Sequence, residues 1–274
     1  MNADLLVMNI IRIKNLEDPA LQPYRTMRRP VEHEKSGIFV AEGEKVVRRL
    51  VGSNLVIVSA LMTDEWLEQY QPLLKDREGI PVYVAAKTLL ESIVGFELHQ
   101  GIMAVGKIPK PPSVGDVLKA APQPYFFAAV DGLTNSENLG VLVRNCAAFG
   151  IQALLVGETS SSPYLRRAVR NSMGAVFSLP VVPCTNLSAQ LGDLKSAHDM
   201  RVIAAHPSGD DRLAQTDLKG NVCFVFGSEG SGLSKNVLET CTDRISIPMQ
   251  RGVDSLNVAS ASAAFLFEAV RQRG

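Results

Sequence analysis

The stretch Asn221-Val-Cys-Phe-Val-Phe-Gly-Ser-Glu-Gly-Ser-Gly-Leu233 joins an apolar run to a glycine-rich loop. Its apolar, aromatic-rich half, Asn221–Phe226, is typical of a buried parallel strand. Gly227, Gly230 and Gly232 follow, and glycine permits both positive φ and a close approach of backbone N–H groups to a ligand. The stretch therefore predicts a strand of an α/β fold that ends in a ligand-binding loop.

Two familiar nucleotide-binding patterns do not match this loop. Its glycine order is not G-x-G-x-x-G, which excludes the dinucleotide fingerprint, and no Gly-Lys-Ser/Thr follows, which excludes a P-loop. A glycine-rich turn without a ligand remains an alternative on this loop alone. Downstream, a predicted helix from Ser234 to Thr242 leads into the strand Arg244–Ile247, and Asp254–Ala259 opens an Ala-rich helix. The chain thus repeats the strand-to-loop-to-helix pattern.

Two other stretches favour a ligand site. Asn138-Leu-Gly-Val-Leu-Val-Arg-Asn-Cys-Ala-Ala-Phe-Gly150 lies upstream, and Ile247-Pro-Met249 with Ser255-Leu-Asn257 lies downstream. Together with the glycine loop they resemble, in order and spacing, the three signature motifs of the SpoU/TrmH family of RNA ribose 2′-O-methyltransferases. The resemblance implies the SPOUT fold, an α/β domain with a parallel sheet and a deep trefoil knot. The strand and helix pattern alone does not predict the knot, because consecutive elements normally connect without one.

Length and composition set the remaining bounds. A chain of 274 residues, 46% of them hydrophobic, can form one large or two ordinary domains. It has no apolar run long enough to span a membrane and no signal-peptide pattern, so a cytoplasmic protein is expected. The 4 cysteines form no CxxC pair, so neither a zinc site nor a disulfide framework is indicated. The formal net charge of +0 speaks weakly against a nucleic-acid partner.

A proline-rich stretch, Lys107-Ile-Pro-Lys-Pro-Pro-Ser-Val-Gly115, divides the chain. Prolines at this density cannot continue a helix or a central strand, so residues 108–122 are predicted to be a stiff linker. Residues 36–107 alternate strands and helices and resemble the small L30e-like substrate-binding domain that many family members carry. Residues 1–35 are predicted to be an extension, and residues 123–274 to be the methyltransferase domain.

The resemblance also implies a site for S-adenosylmethionine (SAM). The residues implied to bind it, largely through backbone atoms, are Gly227, Ser228, Glu229, Gly230, Ile247, Met249, Ser255 and Leu256. SAM carries its methyl group on a sulfonium sulfur, so no metal is expected. The remaining tasks are to position the reactants and to assist loss of the hydroxyl proton.

The implied catalytic residues are Asn138, Arg144, Glu229, Ser255 and Asn257. Arg144 is the implied key residue at the 2′-hydroxyl, but a guanidinium is effectively always protonated and makes a poor base. We therefore expect Arg144 to bind the adjacent phosphate and to stabilise the developing alkoxide. Asn138 is expected to orient Arg144 or the nucleotide, or to cap its helix. Glu229 is expected to hold the loop or Arg144, and Ser255 and Asn257 to lie near the methyl donor or to cap a helix.

The histidines lie outside the motifs and are assigned to ordinary surface or core positions. They are His33, His99, His198 and His206.

Basic residues supply the predicted RNA contacts, since Lys and Arg bind phosphates without reading the base sequence. The candidates are Arg25, Arg28, Arg29, Lys35, Arg48, Arg49, Arg166, Arg167 and Arg170. A solvated surface without RNA is the alternative for residues 1–35.

The small residues of the final helix, Val258–Arg271, pack in the family against a second subunit, so a homodimer is expected. Burial within the monomer is the alternative.

These features predict a SAM-dependent 2′-O-methyltransferase that acts on RNA. Ribosomal RNA, most simply 23S, is the favoured substrate because family members that act on it often carry a separate N-terminal domain. A transfer-RNA methyltransferase would differ only in substrate, and a non-catalytic RNA-binding protein would keep the fold. The mapped polar positions are all present, which favours the enzyme.

Overall fold

The computed structural model describes residues 9–75, 77, 79–94 and 101–274, and it contains two compact units. The N-terminal unit comprises Met1–Pro109 together with Tyr164–Phe177, and the C-terminal unit comprises Lys110–Pro163 and Ser178–Gly274. The strands of the described residues are β1 (Asn9–Arg12), β2 (Ile38–Glu42), β3 (Ile57–Met62), β4 (Pro81–Val84), β5 (Ile102–Lys107), β6 (Phe126–Asp131), β7 (Ala153–Val156), β8 (Val181–Pro183), β9 (Arg201–Ala205), β10 (Asp211–Arg212), β11 (Val222–Gly227) and β12 (Asp243–Ser246). The α-helices are α1 (Gln22–Arg25), α2 (Pro30–Lys35), α3 (Glu44–Val51), α4 (Asp64–Leu74), α5 (Lys87–Val94), α6 (Val114–Ala120), α7 (Ser136–Ala148), α8 (Arg166–Asn171), α9 (Leu187–His198), α10 (Lys235–Thr240) and α11 (Val258–Arg273).

A mixed sheet forms the centre of the N-terminal unit. Its described strands lie in the order β1-β4-β3-β5-β2, and β5 runs antiparallel to both of its neighbours. Most residues of β3 and β5 are buried, as expected for apolar strands that are covered on both faces. The predicted alternation of strands and helices is present. The predicted likeness to the L30e fold stays a prediction.

Residues 9–35 form part of this sheet and its core, which differs from the predicted extension. β1 pairs with β4 from Asn9 to Arg12. Leu21 and Tyr24 are fully buried, and the Tyr24 hydroxyl lies 2.8 Å from the Ser59 hydroxyl. The sequence did not predict this packing, because prolines divide the region into short helices that show no clear apolar period. Residues 1–8 of the predicted extension lie outside the described residues.

The segment Tyr164–Phe177 belongs by its contacts to the N-terminal unit, although the predicted methyltransferase domain contains it. Phe39 on β2 stacks on Phe177 with ring centroids 5.3 Å apart, and its ring centroid lies 5.7 Å from that of Tyr164. A Cβ on Gly106 of β5 would lie 2.4 Å from the Phe39 ring, so glycine is needed to admit that ring. An aromatic cluster therefore holds the segment on β2.

An ion pair beside these rings joins the same segment to β2. Arg166 pairs with Glu42, and only 12% and 9% of the two side chains are exposed. Arg170 approaches the other Glu42 oxygen at 3.3 Å. The prediction that Arg166 contacts an RNA phosphate is corrected here, because its guanidinium is buried against a carboxylate. Arg166 holds the segment in place.

We expect Glu42→Ala to lower the free energy of unfolding of the N-terminal unit by about 3 kcal/mol, because it leaves the buried Arg166 without its partner. The double variant Glu42→Leu/Arg166→Met should recover most of that loss, since apolar residues often replace a buried ion pair at little cost. Urea unfolding measures both effects. The control is Glu32→Ala, which breaks the exposed pair with Arg29 and should cost less than about 1 kcal/mol. Equal losses in Glu42→Ala and Glu32→Ala would show that burial of the pair has no energetic role.

The predicted linker, residues 108–122, is shorter than expected. α6 begins after Ser113, whose hydroxyl accepts from the Asp116 N–H while the Asp116 carboxylate accepts from the Ser113 N–H. Val114, Val117 and Leu118 pack into the core of the C-terminal unit. The Ser-x-x-Asp start signal for this helix was present in the sequence, but the prolines before it dominated the prediction.

The C-terminal unit is built on a parallel sheet, as predicted. Its described strands lie in the order β10-β12-β9-β11-β6-β7-β8. β11 corresponds to the apolar strand predicted at Asn221–Phe226, and it pairs with β6 on one side and β9 on the other. It is buried from Val222 to Phe226. The knot within this unit stays a prediction. In the part of the chain that the structure describes, no helix is both long and apolar enough to cross a bilayer.

Candidate cofactor and catalytic site

The glycine-rich loop at the carboxyl end of β11 folds back on itself. The Ser228 N–H donates to the Gly232 carbonyl at 3.0 Å, and the Gly232 N–H returns to the Ser228 carbonyl at 2.9 Å. Gly232 has φ +69°, which favours glycine. The Asp131 carboxylate, buried at the end of β6, accepts from the Ser234 N–H at 2.7 Å and anchors the exit of the loop. The backbone thus fixes the shape of the loop.

Gly227 and Gly230 have different roles in this loop. A Cβ on Gly227 would lie 2.5 Å from the Gly232 carbonyl carbon and 2.7 Å from the Leu233 nitrogen, so no side chain fits there. A Cβ on Gly230 would meet nothing within 4 Å. Glycine at position 227 is therefore required by the fold of the loop itself. Gly230 borders open space, where a ligand could approach its backbone.

A cavity of about 370 Å³ lies where β9, β11 and β12 end at their carboxyl termini. Carboxyl ends of parallel strands are the usual place for a ligand in such a sheet. Every residue implied to bind the cofactor lines this cavity, namely Gly227, Ser228, Glu229, Gly230, Ile247, Met249, Ser255 and Leu256. Phe226, Val258 and Phe265 add apolar walls. A cavity of this size, with apolar walls and a backbone-rich rim, fits the base and ribose of an adenosyl group.

Three of the predicted catalytic residues form a closed hydrogen-bonded ring. The Asn138 amide donates to one Glu229 oxygen at 2.7 Å, and the Asn257 amide donates to the other at 2.6 Å. The Asn257 amide also lies 3.1 Å from the Asn138 carbonyl oxygen. The ring ties together the three stretches that carry the family motifs, and Glu229 lies on the cavity wall. The geometry supports the loop-holding role predicted for Glu229.

Asn257 caps a helix, whereas Asn138 does not. The Asn257 side chain accepts from the Ala259 and Ser260 N–H groups and caps α11, one of its predicted alternatives. The predicted cap role of Asn138 is wrong, because Asn135 caps α7. Asn138 lies inside α7, where its side chain is available to the ring.

Asn145 is a residue that the sequence reasoning missed. Its amide donates to the Ala259 carbonyl at 2.8 Å and lies 3.0 Å from the Ser262 hydroxyl. Asn138 and Asn145 are seven residues apart, two turns of α7, so both face the start of α11. The only local signal was this spacing of two polar residues on an otherwise apolar helix face.

Arg144 lies on α7 with its side chain exposed. It does not join the ring: Glu229 and Asn138 bind each other and Asn257 instead. Among the described residues, no carboxylate forms an ion pair with Arg144. The predicted contacts from Asn138 or Glu229 to Arg144 are therefore absent from this structure, and the guanidinium is accessible to an external anion.

The remaining basic candidates lie in the N-terminal unit, and several face acids. Arg29 pairs with Glu32, Arg48 pairs with Glu44, and Arg170 pairs with Glu42. Arg49 donates to the Met173 carbonyl at 2.6 Å. Exposed side chains also occur at Arg25, Arg28, Lys35 and Arg167. These ion pairs lower the positive charge that the unit can offer to phosphates.

His206 also lines the cavity, which differs from its assignment to an ordinary position. His99 lies outside the described residues. Within the described ranges, no group of three or more His, Cys, Asp or Glu side chains is arranged to hold a metal ion.

Comparisons with known proteins agree with this geometry. The model of the SpoU rRNA Methylase family matches residues 125–267. The 23S rRNA (guanosine-2′-O-)-methyltransferase RlmB of Yersinia pestis is 34% identical over 209 residues, which cover 74% of this chain and 84% of that protein. An uncharacterized tRNA/rRNA methyltransferase of Mycobacterium tuberculosis is 32% identical over 265 residues, 93% of this chain and 90% of that protein.

Solved structures share the fold over nearly the whole chain. The AdoMet-bound rRNA methyltransferase from Sinorhizobium meliloti has a TM-score of 0.81 at 22% identity, and the match covers 96% of this chain and 98% of that one. The SpoU methyltransferase AviRb from Streptomyces viridochromogenes, in complex with AdoMet, has a TM-score of 0.80 at 21% identity and covers 94% and 98%. The match to the family model and the two sequence relatives together show that this chain belongs to the SpoU rRNA Methylase family.

Proposed function

We propose that this protein transfers a methyl group from SAM to the 2′-hydroxyl of a ribose in ribosomal RNA. The observation that carries the proposal is the ring of Asn138, Glu229 and Asn257 at the wall of a cavity that fits an adenosyl group. The relative from Yersinia pestis, named as a 23S rRNA guanosine 2′-O-methyltransferase, supports this RNA as the substrate class.

The residues divide the work between the two substrates. SAM, when bound, supplies an electrophilic methyl group on a sulfonium sulfur. Backbone groups of the closed loop, whose shape Gly227 and Asp131 fix, hold the adenosyl part. The ring keeps Glu229 at a set position on the cavity wall. Ser255 lines the same cavity, and its proposed role is to contact SAM near the methyl group.

Arg144 serves the RNA. Because its guanidinium is exposed and forms no ion pair with a described residue, it can bind the phosphate beside the target ribose. A fixed positive charge there stabilises the alkoxide as the 2′-hydroxyl loses its proton. Arg25, Arg28, Arg29, Lys35, Arg48, Arg49, Arg167 and Arg170 are the proposed further phosphate contacts, and they act in the N-terminal unit. The cytoplasm is the proposed site of action.

The test is transfer of labelled methyl from SAM to purified RNA. Ribosomal RNA from cells that lack this gene should accept label at one position, where the methyl group then blocks alkaline cleavage after that ribose. Label on transfer RNA alone would identify the other substrate. SAM binding without transfer to either RNA would favour the non-catalytic RNA-binding protein.

A homodimer forms part of the proposal. α7 and α11 pack together, and each leaves an apolar side chain in solvent: Val141 is 36% exposed and Phe267 is 58% exposed. Leu256, just before α11, is 41% exposed. These side chains lie on or beside two helices that pack together, which supports an interaction surface there, and a second copy of the chain is the proposed partner.

We expect Phe267→Asp to shift the protein from dimer to monomer, because a charge would have to be buried in the interface. Sedimentation velocity at micromolar protein measures the mass. Val56→Asp is the matched control. Val56 is equally exposed (58%), but it lies in the N-terminal unit, directly before β3. A wild-type monomer, or an unchanged dimer in Phe267→Asp, would contradict the proposed interface.

A further inference from the structure

His206 is held at the carboxyl end of β9, between the loops that follow β11 and β12. β9 pairs with β11 on one side and with β12 on the other. The His206 N–H donates to the Ile245 carbonyl at 2.9 Å, and the His206 carbonyl accepts from the Gly209 N–H at 3.1 Å. A Cβ on Gly209 would lie 2.6 Å from the Ile245 carbonyl carbon, so this turn is closely packed. The backbone of His206 therefore has a fixed position on the cavity wall.

A hydrogen bond also sets the tautomer of the His206 ring. The Ser208 N–H donates to His206 Nδ1 at 3.1 Å, so Nδ1 carries a lone pair. In a neutral imidazole the proton then sits on Nε2, which is a donor. No described residue accepts a hydrogen bond from Nε2, and no described buried side-chain nitrogen lacks a partner, so Nε2 is accessible. The ring therefore offers one N–H group to a ligand.

The ionisable side chains around the cavity indicate which kind of ligand group this N–H can bind. The ionisable side chains among the described lining residues are His206, Glu229 and Asp254. Both Glu229 oxygens already accept from asparagine amides. His206 is thus the one ionisable side chain, among the lining residues described, that can donate a hydrogen bond to a negative group.

We propose that His206 binds the carboxylate of the methionine part of SAM through its Nε2–H group. The inference rests on the proposed function, in that it takes SAM as the ligand of the cavity. The carboxylate is the single anionic group of SAM, and a hydrogen bond to a charged acceptor is stronger than one to a neutral acceptor. The ribose hydroxyls and the adenine nitrogens are the competing acceptors.

Calorimetry of the full chain with two ligands tests the assignment. S-adenosylhomocysteine keeps the carboxylate, whereas 5′-methylthioadenosine has the same adenine and ribose but lacks both the carboxylate and the amino group. Of those two groups, only the carboxylate can accept a hydrogen bond from Nε2–H. We expect His206→Ala to raise the Kd for S-adenosylhomocysteine about 10-fold, the loss that follows from one charge-assisted hydrogen bond. The Kd for 5′-methylthioadenosine should stay unchanged. His206→Gln, whose amide can place an N–H near the position of Nε2, should retain most of the affinity.

His198→Ala is the control, because His198 ends α9 and does not line the cavity. Equal Kd values for S-adenosylhomocysteine in His206→Ala and His198→Ala would overturn the assignment. Equal weakening of both ligands in His206→Ala would also overturn it, since a loosened turn or a nucleoside contact would act on both. If the wild-type protein binds neither SAM nor S-adenosylhomocysteine, the proposed function fails first, which separates that outcome from the other two.

Discussion

Arg144→Ala is expected to lower kcat for methyl transfer by about 10²- to 10³-fold, the usual loss when one fixed donor to a developing oxyanion is removed. The Kd for SAM should change little, because Arg144 neither lines the cavity nor touches the ring that orders its wall. Single-turnover transfer to RNA, with SAM binding measured separately by calorimetry, distinguishes the two effects.

Arg144→Lys sharpens this test. Lysine keeps the charge but cannot bind a phosphate through two parallel N–H groups, so it should recover only part of the rate. Asn138→Ala is a useful contrast, because it breaks the ring and should weaken SAM binding as well as turnover. Near-normal turnover in Arg144→Ala would remove the arginine from the mechanism.

Gly227→Ala should raise the Kd for SAM by about 10- to 100-fold, since overpacking of 1–3 kcal/mol must be relieved by opening the loop. The added Cβ would collide with backbone atoms of Gly232 and Leu233 rather than with a flexible side chain, so the backbone itself has to move. Calorimetry with SAM measures the change, and circular dichroism shows whether the rest of the chain remains folded.

The matched control for this loop is Gly230→Ala. A Cβ at Gly230 meets no protein atom within 4 Å, so its effect on SAM affinity should be small. If both alanine variants bind SAM equally well, the tight closure between Ser228 and Gly232 is not needed for the cofactor. If Gly230→Ala alone weakens binding, the ligand itself approaches that position.

The composition of the site was predictable from sequence, but its geometry was not. Gly227–Leu233, Ile247 and Met249 line one cavity, as the motif resemblance implied. The ring could not be derived, because Asn138 and Glu229 are 91 residues apart and nothing local to either specifies their pairing. The place of His206 on the cavity wall was missed for a similar reason: it depends on the strands that flank β9, not on the neighbours of His206 in sequence.

The division of the chain was predicted less well than its strands and helices. The apolar periods located most elements, since each period depends on residues a few positions apart. Unit membership depends on contacts across far longer separations. Arg166 meets Glu42 across 124 residues, and no pattern in either stretch signals that contact. The proline-rich stretch was read as one long linker because its helix start signal at Ser113 is short.

The contacts of Tyr164–Phe177 also bear on how this protein could be shortened or recombined. The segment lies inside the family match at residues 125–267, yet its partners Phe39 and Glu42 lie outside that match. A chain that lost the first 109 residues would leave Phe177 without its aromatic neighbour and Arg166 without a counter-charge. Relatives without an N-terminal unit should therefore carry polar residues that need no buried partner at the positions of Arg166 and Phe177. Swapping N-terminal units between relatives should succeed only when this segment is transferred with them.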